Sequence, residues 1–176
     1  MIYYSLFQSH LNYCPLTWMP SLKKSEKVQL FKLQKRAVRA LFDAPFNSHT
    51  KNMFQISGII PVTHLFEYHS ATFVKKHLEL GQPELIHDIL PIQENRQKLK
   101  YPRGTKPGNV FFDIVKCWFN TDPVIKKAET LNSFKNKLKE SITQSYYTSN
   151  NDCTKKECIW CKNSSHCRLL AYTKKW

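Results

Sequence analysis

Apolar residues recur every three or four positions through most of this chain, and strict alternation of apolar with polar residues is nowhere sustained. That period lays a stripe along a helix and leaves no pleated surface on which to build a sheet. Ile2, Leu6, Phe7 and Leu11 share such a stripe, with Pro15 and Pro20 bracketing the exit. Ser25 offers an N-cap to a helix reaching Phe42, with Val28, Phe31, Val38, Leu41 and Phe42 as its apolar line and Leu30, Leu33 and Ala37 widening it. A short helix follows at 50–57 and ends at Gly58. Pro61 is suited to a first helical position, and Val62, Leu65, Phe66, His69 and Phe73 continue to a stop at Gly81. Residues 83–90 have room for one or two further turns.

Asn109 caps the next predicted helix, which carries Phe111, Phe112, Ile114, Val115, Trp118 and Phe119. Asp122-Pro123 is another start signal, and Asn132 or Ser133 a third. Phe134, Leu138, Ile142 and Tyr146 then stand at i, i+4, i+8 and i+12, with Lys135, Lys137 and Lys139 outside. The sequence therefore predicts an all-α fold, a helical bundle with a basic loop and a short Cys-rich tail. Phe31, Phe42, Phe66, Phe73, Phe111, Phe112, Trp118 and Phe119 are expected to pack in its core rather than stack on a ligand. Only 4 of 176 residues are Gly, well under the usual ~7%. That scarcity argues against glycine-rich phosphate loops, the dinucleotide fingerprint and turn-dense β-sandwiches.

Lys and Arg number 27 against 13 Asp and Glu, a net charge of +14. So large an excess is attracted to polyanions. Its most ordered part is Lys27, Lys32, Lys35, Arg36 and Arg39 on the polar side of the 25–42 helix, where Glu26 is the only acid. Five cations on one helix suit phosphate contacts, and they equally suit a solvated face. The stretch 91–109, with three Pro and two Gly, reads as an exposed loop holding Arg96, Lys98, Lys100, Arg103 and Lys106 against Glu94. It supports a second contact surface and a solubilising loop equally.

The six cysteines are uneven. Cys14 and Cys117 stand alone in apolar surroundings and are expected to be buried reduced thiols. Cys153, Cys158, Cys161 and Cys167 crowd the last 24 residues. A secreted disulfide framework spreads its cysteines through the domain, so a reduced intracellular compartment, nucleus or cytoplasm, is expected. No run reaches the ~20 apolar residues of a membrane span, and the first ten residues lack a signal peptide's basic start. In Cys153-x4-Cys158-x2-Cys161-x4-His166-Cys167, four of the five ligands suit a tetrahedral zinc sphere: Cys158 and Cys161 form the knuckle pair, and Cys153 with either His166 or Cys167 would complete it. Lys155, Lys156, Lys162 and Arg168 would lower the thiol pKa values there. The spacing matches neither the common retroviral-type knuckle nor a two-pair finger. One structural zinc and a tail with incidental cysteines both remain readings of this segment.

Chemistry of other kinds is missing. There is no adjacent aspartate pair to hold two metals, no nucleophile elbow, no Walker motif and no HExxH. His64 and His69 are five apart, off the i, i+4 spacing that pairs ligands on one face. Structural or surface roles are expected for them and for His10 and His77. The chain by itself encodes no active site.

Three blocks, in order, resemble the region just after the palm in reverse transcriptases of non-LTR (LINE-type, jockey-like) retrotransposons. They are Tyr3-Tyr4-Ser-Leu-Phe-Gln-Ser-His-Leu-Asn-Tyr13 with Trp18; Leu33-Gln-Lys-Arg-Ala-Val-Arg39 with Ala44-Pro-Phe-Asn-Ser-His-Thr50, Met53-Phe54 and Ile59-Ile-Pro61; and Trp118-Phe-Asn120, Pro123 and Thr130-Leu-Asn-Ser-Phe-Lys-Asn-Lys-Leu-Lys139. The resemblance covers roughly residues 1–147, while 96–120 depart from the family pattern. It implies a helical thumb and connector at 1–147 that grips the template–primer duplex, followed by a linker and Cys/His-rich tail at 148–176. RNA or an RNA–DNA duplex would be the partner, held without sequence preference. The family's catalytic aspartates belong to the palm, which this sequence does not contain, so the chain is expected to bind and not to catalyse. A frame opening at Met1 fits a 5′-truncated element or a partial gene. The alternatives are a host-retained basic binding module with a zinc-stabilised tail and a translated remnant without a role.

Overall fold

The computed structural model describes residues 3–80, 92–93, 98–99 and 109–149, and these are mainly helical. A π-helical segment, Tyr3–Gln8, runs into the single turn α1 (Ser9–Asn12). Then come α2 (Pro15–Trp18), α3 (Lys24–Leu41), α4 (Lys51–Ser57) and α5 (Val62–Leu80). Two residues of β1 (Ile92–Gln93) pair antiparallel with two of β2 (Lys98–Leu99), in the register Ile92↔Leu99 and Gln93↔Lys98. The helices α6 (Val110–Asn120), α7 (Pro123–Lys126) and α8 (Leu131–Ser149) complete the order. The chain divides into two units. The first gathers residues up to Tyr13, Lys23–Thr63 and Lys139 onward; the second gathers Cys14–Leu22 and His64–Leu138.

In the first unit Tyr3, Val38, Phe42, Met53, Phe54, Ile59 and Tyr146 form one apolar cluster, flanked by Phe7, Phe31, Ala37, Leu41 and Ala44. Phe31, Phe54 and Tyr146 meet as an aromatic trio with ring centroids 5.7 to 6.3 Å apart. Pairs at that spacing add stabilisation beyond their buried area. A polar chain runs beside them. The Tyr3 hydroxyl donates to Gln8 Oε1 at 3.0 Å and accepts from Gln34 Nε2 at 3.0 Å. Gln34 also donates to the Ile60 carbonyl at 2.9 Å and accepts from the Val62 N–H at 2.7 Å. Fully buried in the middle of α3, this one amide closes the first turn of α5, where no intrahelical acceptor exists for that N–H. Gly58 ends α4 at φ 60°, a left-handed conformation that would strain any side chain, although a Cβ here would meet Lys139 Cε only at an ordinary 3.5 Å.

In the second unit Leu65, Ala71, Val74, Ile114, Val115, Trp118, Ile125, Ala128, Phe134 and Leu138 are buried, with Trp118 and Phe134 in ring contact at 6.0 Å. Asn109 Oδ1 accepts from the Phe111 N–H, and Asp122 Oδ1 from the Val124 N–H, as N-caps should. The four apolar positions of α8, Phe134, Leu138, Ile142 and Tyr146, are all buried.

Several expectations are corrected. α3 starts at Lys24 with Glu26 Oε2 accepting from the Lys23 N–H at 2.7 Å, so Ser25 lies inside the first turn and is not its cap. α5 starts at Val62, one residue after Pro61. The start of α8 is signalled by Thr130, whose Oγ1 accepts from the Ser133 N–H, and not by Asn132 or Ser133. Leu6 is 67% exposed while Tyr3 is buried; the wider turn of a π-helix rotates the inward face away from the 3–4 line. Val28, Leu33 and Phe119 are also exposed. Cys14 is exposed, at the left-handed corner (φ 43°) that opens α2. The polar residues that follow Tyr146 continue α8 through Ser149. β1 and β2 interrupt what reads as a loop at 91–109.

Candidate nucleic-acid interface

The basic residues of α3 do not all share one face. At ~100° per residue, Lys32, Lys35, Arg36 and Arg39 fall within an arc of roughly 100°. Lys27 lies outside it, on the line of the buried Gln34 and Val38, and reaches water because it stands in the helix's first turns. Lys27, Lys32 and Arg36 are exposed, and Lys35 and Arg39 are half-buried. Helical spacing alone therefore marks five cations, of which four form a surface.

Each of the two half-buried members has a local structural contact. Lys35 Nζ lies 4.4 Å from the Phe31 ring centroid, over the face of that ring. Arg39 Nε donates to the Ser48 carbonyl at 2.8 Å, and the Arg39 carbonyl accepts from the Ala44 N–H. Those two bonds fold the segment after α3 back against its last turn. Asp43, at φ 48°, makes the reversal, and the Ser48 N–H closes a turn onto the Pro45 carbonyl at 2.9 Å. Phe46 occupies the corner of that turn and is 73% exposed. The guanidinium carbons of Arg36 and Arg39 lie 5.6 and 5.7 Å from its ring centroid.

Burial first, and the neighbouring Arg36 charge second, lower the Arg39 pKa below its ordinary value. His64 pairs with Glu67 and Lys75 with Glu79, whereas Lys32, Arg36 and Arg39 have no carboxylate partner among the described residues. Lys32, Arg36 and Arg39 are thus like charges crowded together without a carboxylate partner among the described residues, the state that a polyanion relieves.

Phe46 escaped the periodicity reading because it sits between helices. The Pro45, Asn47 and Ser48 around it are turn residues that signal an exposed corner. Of the loop cations only the Lys98 backbone is described, in β2; Arg96, Lys100, Arg103 and Lys106 lie outside the described residues, as do Cys153, Cys158, Cys161, His166 and Cys167. Within the described residues no three His, Cys, Asp or Glu side chains cluster as metal ligands, and no helix is long and apolar enough to cross a membrane. His69 is depressed in pKa, chiefly by burial and then by Lys135. The Cys117 thiol is pushed up to about 11 by burial, with Glu67 and Asp113 adding to it and a Ser70 hydrogen bond opposing it. A thiol held protonated is a poor nucleophile and a poor ligand.

No family model, no curated protein and no solved structure matches this chain.

Proposed function

We propose that this chain binds nucleic acid through α3, as the thumb-and-connector part of a non-LTR retrotransposon reverse transcriptase, contributing grip on the template–primer duplex and no catalytic group. The observation that carries the reading is the arc of Lys32, Lys35, Arg36 and Arg39, a cationic face with no carboxylate facing Lys32, Arg36 or Arg39 among the described residues. Such a face matches a row of phosphates, which positions a duplex without reading its sequence. The succession of sequence blocks at 1–147 supports the polymerase context, and the net charge of +14 supports a polyanionic partner.

Binding of a labelled 20-base-pair RNA–DNA duplex, measured by fluorescence anisotropy between ~50 and ~200 mM salt, tests it. Each phosphate neutralised contributes a log–log slope of about −0.9, so three or four contacts on α3 give a slope near −3. An affinity that barely moves across that range sinks the proposal.

A further inference from the structure

We propose that Phe46 is a stacking platform for an unpaired base, flanked by Arg36 and Arg39, which hold the adjoining phosphates of a single strand. The proposal rests on the nucleic-acid reading of α3 and narrows it: beside the phosphate-binding arc lies a place that takes a base and not a backbone.

Three observations meet at this corner. The ring is 73% exposed, although two guanidinium groups lie within 6 Å of its centroid, so most of its surface stays open to solvent. The ring is also held. The Pro45–Ser48 turn is closed by its own backbone bond and tied to α3 by Arg39 Nε on the Ser48 carbonyl, so little conformational entropy is lost when a base docks. Third, the two cations beside the ring have no carboxylate partner among the described residues. An exposed aromatic ring with guanidinium groups packed over it is a combination by which single strands are bound without sequence preference: bases stack on the open part of the ring while the cations follow the phosphates. An exposed Phe by itself carries no such meaning; its pairing with two unneutralised arginines does.

The experiment compares three labelled probes at ~50 mM salt: a 12-nucleotide oligothymidylate, an abasic strand of the same length and charge, and a blunt 12-base-pair RNA–DNA duplex. The full chain should prefer the oligothymidylate to the abasic strand by roughly tenfold, the effect of stacking one base. Phe46→Ala should erase that preference and leave duplex affinity within about twofold, while Phe46→Trp should retain it. Because Phe46 is exposed, the helical circular dichroism of Phe46→Ala should match that of the parent. Equal binding of the thymidylate and abasic strands by the full chain, or an unchanged preference in Phe46→Ala, overturns the stacking role, and salt-dependent duplex binding then still supports the thumb reading. Preference for the thymidylate strand without salt-dependent duplex binding retains the platform and removes the thumb. Absence of binding to all three probes overturns both.

Discussion

Gln34 shows how much of a fold can rest on one side chain. Its amide has three partners in the buried interior: the Tyr3 hydroxyl, the Ile60 carbonyl and the Val62 N–H. An apolar residue of similar size would leave the last two groups buried and unsatisfied, each costing about 1–3 kcal/mol. Gln34→Leu should therefore lower the unfolding free energy by roughly 2–4 kcal/mol in urea titration, despite adding apolar volume to an apolar site. A polar residue four positions before Val38 and three after Phe31 is the signal that sequence reading passes over, because periodicity counts only the apolar members. Its partner Tyr3 gives a pH dependence. Burial pushes the Tyr3 hydroxyl up to about 12 from 10.0, with the Gln34 hydrogen bond partly opposing it. The folded state therefore keeps a proton that the unfolded chain releases above pH 10. This contribution is complete below pH 10 and is lost as pH rises from 10 to 12, a span corresponding to roughly 2–3 kcal/mol. Tyr3→Phe should be less stable than the parent at pH 8, and the gap should close between pH 10 and 12. A gap of constant width would show that Tyr3 does not carry this titration.

Among the elements, helices were legible wherever an apolar line and a side-chain cap coincided. α6 and α7 begin where Asn109 and Asp122 predict, and α8 buries the four residues its period selects. The readings that failed did so for physical reasons. The first segment is π-helical, so its inward face follows five-residue steps, which bring Tyr3 to Gln8. The residues after Tyr146 lie past the last member of the apolar line, yet helix continues through them to Ser149. α7 has a dependence that no local pattern reveals. It is only four residues long, below the length at which a helix is stable alone, and its exit is held from another helix. Lys75 Nζ, on α5, donates to the carbonyls of Lys126 and Ala128 at 3.1 and 3.0 Å while pairing with Glu79 Oε1 at 2.7 Å. Lys75→Met keeps the stem and removes the donor, leaving two carbonyls and one carboxylate without it. The loss should be about 1–3 kcal/mol, read as a lower urea midpoint with little change in slope, and Lys75→Arg should recover part of it.

For the whole molecule, the decisive question is whether +14 acts as a diffuse field or through one face. Net charge alone draws a polyanion from every side, whereas contacts that release counterions form only where cations line up with phosphates. Two double variants separate these. Lys32→Glu with Arg36→Glu, and Lys116→Glu with Lys127→Glu, each reverse two exposed charges and bring the formal net charge from +14 to +10. A diffuse field responds equally to both. A localised interface responds to the first alone: the log–log salt slope for the RNA–DNA duplex should become less negative by about 2, and affinity at ~100 mM salt should fall by well over tenfold. The second pair should change affinity by about threefold or less and leave the slope within half a unit of the parent. Lys32, Arg36, Lys116 and Lys127 are all exposed, so both proteins should unfold near the parent's midpoint. Equal losses in the two variants would assign the binding to overall charge and remove α3 as the interface, because only a fixed array of cations makes the position of a charge matter more than its sign.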